Sequence, residues 1–158
     1  MKRLNIFATE FEHDDDDPEG YSSGYVKLAP AIGGSTMAGT IYDLPPGNSN
    51  CPFHYESDEE WLLVLEGTLT VRHAEGEDEL GRGDLVCFAA GPDGVHKLTN
   101  RGTENVRMLI VSTANVPAVA VYPDSDKIGV SARGMGGGDP IRMLVQGTPD
   151  VGYYDGEE

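Results

Sequence analysis

The tripeptide His54-Tyr55-Glu56 sets an imidazole and a carboxylate two residues apart. In an extended chain, residues i and i+2 face the same way, so both side chains can address one point. Glu60 follows four residues later, and His96 opens a later β-rich run. Two imidazoles and two carboxylates brought together form a donor set for a divalent ion, and Fe(II), Mn(II), Ni(II) and Zn(II) all suit it. His13 lies in an acidic leader and His73 before a turn; both are expected to be exposed and idle.

These residues need strands to hold them. With Glu60 facing inward, the two-residue period turns Leu62 and Val64 inward and Trp61 and Leu63 outward. Met37–Leu44 reads as a strand rich in β-formers (Thr40, Ile41, Tyr42), stopped by Pro45-Pro46-Gly47-Asn48. Further short strands are expected at 61–65, 68–72, 85–88, 96–99, 106–113 and 119–122, with Gly- or Asn-rich turns between them. Weaker strand signals stand at 4–8, 25–28 and 141–145. No stretch of ten residues carries a helical apolar period. The pattern predicts an all-β sandwich, barrel or jelly roll. Residues 1–36 read as an N-terminal extension with short strands and 37–122 as the barrel. Residues 123–158 read as a loop-rich tail packing on the barrel or on a partner. Gly134 and Gly136 to Gly138 mark a flexible loop within 131–140, and Tyr153-Tyr154 are expected to dock rather than hang free.

Composition narrows the function classes. The chain has 158 residues, 39% of them hydrophobic, enough for one domain with its own core. It carries 27 acidic and 11 basic residues, net −16. Such a surface repels nucleic-acid backbones and anionic membranes, so neither is an expected partner. No apolar run reaches membrane-spanning length and the N-terminus lacks a secretory pattern, so a cytoplasmic location is expected. The run Asp14-Asp15-Asp16-Asp17 lacks the spacing of a Ca²⁺ loop and reads as a solvated segment. Cys51 and Cys87 match no zinc or disulfide pattern and read as buried free thiols.

The segment from Gly47 through His54-Tyr55-Glu56 and Glu60 to Gly67 resembles the first cupin motif. That motif runs Gly, five residues, His-x-His, three or four residues, Glu, six residues, Gly. Gly83 through His96 to Asn100 resembles the second motif, Gly, five residues, Pro-x-Gly, two residues, His, three residues, Asn. Six residues precede His54 instead of five, Glu56 stands at the second His position, Ala89 replaces Pro, and the loop before His96 is two residues longer. The resemblance implies a double-stranded β-helix, or jelly-roll barrel, with metal-ligand roles for His54, Glu60 and His96. Glu56, at the second His position, is either a fourth ligand or a general base beside a two-His, one-carboxylate face. A carboxylate there makes the site harder and more anionic, favouring Mn(II) or Fe(II), with Zn(II) and Ni(II) still compatible.

Cupin-like chains include dioxygenases, decarboxylases, sugar-phosphate isomerases, storage proteins and ligand sensors, and fold alone does not choose among them. The expected function is a metal-binding barrel that acts on, or binds, a small oxygen-rich metabolite. The alternative is a non-catalytic small-molecule sensor. A sugar-phosphate substrate would need a basic grip, for which Lys97, Arg101, Lys127, Arg133 and Arg142 are the candidates. The outward Trp61 and Leu63, and the habit of the cupins it resembles, point to a homodimer.

Overall fold

Short apolar–polar alternations, broken by glycine and proline, carry most of the chain into antiparallel strands. The computed structural model describes residues 1–132, 140–147 and 151–157. Its strands are β1 (Glu12–His13), β2 (Gly24–Lys27), β3 (Met37–Leu44), β4 (Tyr55–Glu56), β5 (Glu60–Glu66), β6 (Thr68–His73), β7 (Gly76–Gly81), β8 (Leu85–Phe88), β9 (His96–Thr99), β10 (Val106–Thr113), β11 (Ala118–Tyr122), β12 (Lys127–Ala132) and β13 (Ile141–Gln146). A single-turn helix, α1 (Leu28–Ile32), ends at Gly33 in the left-handed conformation. Three sheets result, ordered β1-β2-β3-β10-β5-β8, β13-β12-β11-β4 and β7-β6-β9. The architecture is an all-β jelly-roll barrel.

The core fills the space enclosed by the sheets. Leu44, Leu62, Val64, Leu69, Leu98, Val106 and Met108 are essentially inaccessible to water. Each such side chain contributes about 1.5–3 kcal/mol by leaving water. On β5 the alternation is as the sequence predicts: Leu62 and Val64 are buried, whereas Trp61 is 50% exposed. Gly67 turns the chain from β5 into β6 with φ +84°, and a Cβ there would stand 2.9 Å from Asn105 O, so only glycine fits.

One buried amide ties the strand ends together. Asn100 Nδ2 donates to Leu44 O and to Glu104 O, both at 2.8 Å, and the Gly102 N–H donates to Asn100 Oδ1 at 2.9 Å. The backbone of Asn100 adds bonds to Asn48 O and from the Gly47 N–H. This side chain closes the turn after β9 onto the end of β3, and so fixes where the His96 strand runs.

Several expectations fail outside the barrel. Residues 4–8 form a turn, not a strand, held by the Ala8 N–H on Asn5 O. Beyond residue 122 the expected strand at 141–145 is present as β13, but the segment also holds β12, which the sequence pattern does not mark. β12 pairs along all of β11, and β13 pairs along all of β12, because their free backbone groups extend the same ladder. Of the predicted 131–140 loop, residues 133–139 lie outside the described residues. Tyr153 and Tyr154 are 89% and 79% exposed and pack edge-to-face on each other, not on the barrel. Both cysteines are free, but Cys87 is exposed, since the β8 alternation buries Phe88 and turns Cys87 outward. His73 is half-buried with Nε2 3.2 Å from Asp78 Oδ2, and Asp14 accepts a hydrogen bond from the Tyr25 hydroxyl. Among the described residues, no helix is long and apolar enough to cross a membrane.

Candidate metal centre

The two histidines meet because their backbones pair. The His54 N–H donates to His96 O at 3.0 Å, and the His96 N–H donates to His54 O at 2.8 Å. Directly opposed residues of an antiparallel pair project to the same face. The imidazole centroids are 4.8 Å apart. Phe88 stacks on His96 at 3.6 Å, and Tyr122 stacks on His54 at 5.7 Å, so each ring has an aromatic backstop. Glu60 enters from β5, where it sits opposite Phe88 on β8 and Ser112 on β10. Glu56 enters from β4, opposite Ala120 on β11.

One donor atom from each of His54, Glu60 and His96 falls within 4.8 Å of the others. Ligand atoms about 2.1 Å from an ion stand about 3 Å apart when adjacent, so a small closure gathers all three. The Glu60 Oε2 to His96 Nε2 separation is 3.6 Å, beyond hydrogen-bond reach. Glu56 Oε1 lies 3.7 Å from His54 Nε2, at the side of this trio.

The histidine tautomers fit a metal. Each Nδ1 lies 2.9 Å from the carbonyl two residues upstream, His54 from Pro52 O and His96 from Gly94 O. A carbonyl only accepts, so Nδ1 carries a proton in both rings and Nε2 is the nitrogen left for the cavity, with its lone pair free in His96 and freed in His54 once the second proton leaves. This is the orientation that metal-ligating histidines are given by their outer hydrogen bonds. Gly94 is required for it. A Cβ at that position would overlap Ala89 O, so the loop reaches His96 only with glycine there.

Burial and close charges perturb Glu60, His54 and His96. Burial pushes the Glu60 carboxyl up to about 7, with Glu56 and Asp58 reinforcing the shift and His54 opposing it. Burial pushes His96 down to about 4. Burial also disfavours a charged His54, but Cys51 and Glu56 beside it prevail and hold it up at about 11. A divalent cation satisfies the same anionic surroundings without a proton, which is the condition for protons and metal to compete.

The cavity holding these groups measures about 200 Å³ and is also lined by Tyr42, Asn50, Cys51, Ser112 and Tyr122. Sequence reasoning named none of these five as site residues. They come from separate strands and loops, and only β3 and β11 register brings the two tyrosines in. Burial raises the phenol pKa of both Tyr42 and Tyr122, so they stay protonated.

Residues 40–112 match the family described as Cupin domain. No curated protein matches the sequence. Among solved structures, a protein of Acidithiobacillus ferrooxidans is 24% identical, covering 89% of this chain and 87% of that one at a TM-score of 0.77. A sugar phosphate isomerase from a cupin superfamily, from Silicibacter pomeroyi, is also 24% identical, covering 91% and 92% at a TM-score of 0.77. A predicted oxalate decarboxylase from Thermotoga maritima is 18% identical, covering 70% and 97% at a TM-score of 0.58. These likenesses are likenesses of fold.

Proposed function

From a chain whose residues 40–112 are a cupin domain, we propose a metal-dependent isomerase of small α-hydroxy carbonyl metabolites. His54, Glu60 and His96 hold the ion, with Mn(II) or Fe(II) favoured over Zn(II) and Ni(II) by the carboxylate-bearing donor set. The observation that carries the reading is the pair of Nδ1 bonds to backbone carbonyls, which leave Nε2 of each ring for the cavity, His96 3.6 Å from Glu60 and His54 3.7 Å from Glu56. When bound, the ion supplies a Lewis acid that polarises a substrate carbonyl.

Glu56 is the general base of this reading. It lines the cavity and stays partly open to solvent. Its carboxylate removes the proton from the hydroxyl-bearing carbon beside the carbonyl and returns it to the former carbonyl carbon, while the hydroxyl proton passes from its oxygen to the former carbonyl oxygen, so no net proton is consumed. The neutral phenols of Tyr42 and Tyr122 donate hydrogen bonds to substrate oxygens as charge shifts between them. The likeness to the Silicibacter pomeroyi sugar phosphate isomerase over nearly the whole chain supports this class above decarboxylation. Action on a soluble metabolite also accords with a cytoplasmic location.

The test uses metal-loaded protein with a panel of aldoses, ketoses and their phosphate esters in D₂O. Proton NMR reads solvent deuterium entering the carbon beside the carbonyl. Wild type is expected to exchange at least one panel member. Glu56→Gln is expected to keep the metal and lose exchange, because an amide cannot accept the proton. A loaded wild type that binds sugars without exchange or turnover would establish the non-catalytic alternative instead.

A further inference from the structure

A second cavity, of about 650 Å³, adjoins the metal centre, and Thr40, Tyr42, Asn50 and Cys51 form part of the wall of both. The metal cavity alone, at about 200 Å³, is below the roughly 300 Å³ at which small-molecule pockets begin. A substrate chelated there must extend into the neighbour.

The neighbour gathers three cations in its wall. Lys27, Lys97 and Lys127 all line it, three of 11 basic residues in a protein of net charge −16. Lys97 Nζ donates to Tyr21 OH at 3.2 Å and lies over that ring. Lys27 Nζ lies over the Tyr25 ring and Lys127 Nζ over Tyr122, the ring that stacks on His54. Among the described residues, none of the three ammonium groups has a carboxylate within 4.0 Å. Arg72, Arg101 and Arg107, by contrast, are each paired. The carboxylates that line the cavity are otherwise engaged or peripheral. Asp124 takes two hydrogen bonds from Arg72, Asp14 takes one from Tyr25, and Asp17 belongs to the exposed leader. At the junction, Asn50 Oδ1 is buried with no hydrogen-bond partner among the described residues. A buried polar atom without a partner costs stability, and a ligand hydroxyl would satisfy it.

We propose that this cavity is a phosphate subsite: Lys27, Lys97 and Lys127 hold the phosphate monoester of a polyhydroxy carbonyl substrate whose other end reaches the metal centre. The metal end of this inference rests on the function proposed above; the phosphate end rests on the lysines. Asn50 accepts a hydrogen bond from a hydroxyl between the two. A dianionic monoester suits three unpaired ammonium groups better than a carboxylate, because each phosphate oxygen can take its own charge-assisted bond.

Inorganic phosphate is the probe, titrated by calorimetry at low salt into full-length protein, once chelator-stripped and once metal-loaded, with metal content measured on each sample. Stripped wild type is expected to bind phosphate saturably. Lys27→Gln, Lys97→Gln and Lys127→Gln are each expected to weaken it roughly tenfold, the scale of one charge-assisted hydrogen bond. Arg82→Gln, on the β7–β8 turn, is expected to leave it unchanged. Absence of saturable binding, unchanged affinity in the lysine variants, or an equal loss in Arg82→Gln would each overturn the subsite. Phosphate binding that persists in a protein unable to hold metal would defeat the proposed function and leave the subsite standing. The reverse result would defeat the subsite alone. The three single variants carry the test if a combined variant does not fold.

Discussion

Replacing Asn100 with Ala tests whether one buried amide holds the barrel mouth. The side chain is wholly inaccessible and makes three hydrogen bonds, to Leu44 O, to Glu104 O and from the Gly102 N–H. Alanine removes all three and leaves three backbone groups to be rehydrated or orphaned. At about 1 kcal/mol net per bond, rising towards 1–3 for a group left buried, the loss is about 4 kcal/mol. A chain of this size shifts by about 2–4 °C per kcal/mol, so Tm should fall by about 8–16 °C. Asn100→Asp sharpens the point. It keeps the acceptor for Gly102 but turns a carboxylate on two carbonyls. That carboxyl would be held above its ordinary value in the fold, so its penalty is present at neutral pH and shrinks as pH falls and the group is protonated. Melting followed by circular dichroism at pH 5 and pH 7.5 reads both effects. A Tm loss below about 3 °C for Asn100→Ala, under 1 kcal/mol by the same scale, would refute the clamp.

Metal affinity should strengthen as pH rises from 6 to 8. The Glu60 proton, with a pKa of about 7, and the His54 proton, at about 11, must both leave before the donors can bind. Glu60 alone contributes a factor of about ten over that range, read by metal titration in matched buffers; a flat profile contradicts it. Gly94→Ala should weaken metal binding and stability together, because the new Cβ meets Ala89 O and displaces the carbonyl that orients His96. Tight metal binding in a folded Gly94→Ala protein would show that this loop does not set the imidazole. The exposed face carrying Trp61 and Leu85 is expected to be covered in a homodimer, and Trp61→Arg to give a monomer. Light scattering of wild type at monomer mass would count against it.

The barrel and its donors were legible because they are local. The two-residue period of β5 commits Glu60, Leu62 and Val64 to one face, and a glycine is demanded at position 67 by a turn within a few residues. His54 and Glu56 share a face for the same reason. What local pattern cannot supply is register between distant segments. The mutual pairing of His54 and His96 depends on how two loops close, and Tyr122 and Asn50 enter the cavity only once that is settled. Of the cations weighed in the sequence, Lys97 and Lys127 reach the second cavity, whereas Arg101 pairs with Glu77 and Arg133 lies outside the described residues. Lys27 was missed, since it leaves a short strand with nothing in its neighbours to mark it. β13 carries a local strand signal at 141–145, whereas β12 does not, since its short run includes Gly129 and leads into the glycines that follow it. Whether Glu56 acts as ligand or base was beyond sequence, and here its carboxylate approaches His54 from beside the three gathered donors.

The central claim is that His54, Glu60 and His96 hold a divalent ion, and metal content after reconstitution tests it most directly. Wild type, Glu60→Ala and His73→Ala are loaded with Mn(II) or Fe(II), desalted and analysed by elemental mass spectrometry. Wild type and His73→Ala should each retain about one ion per chain, and Glu60→Ala should retain little, since it loses an anionic donor. A full complement in Glu60→Ala, or none in wild type, would contradict the account.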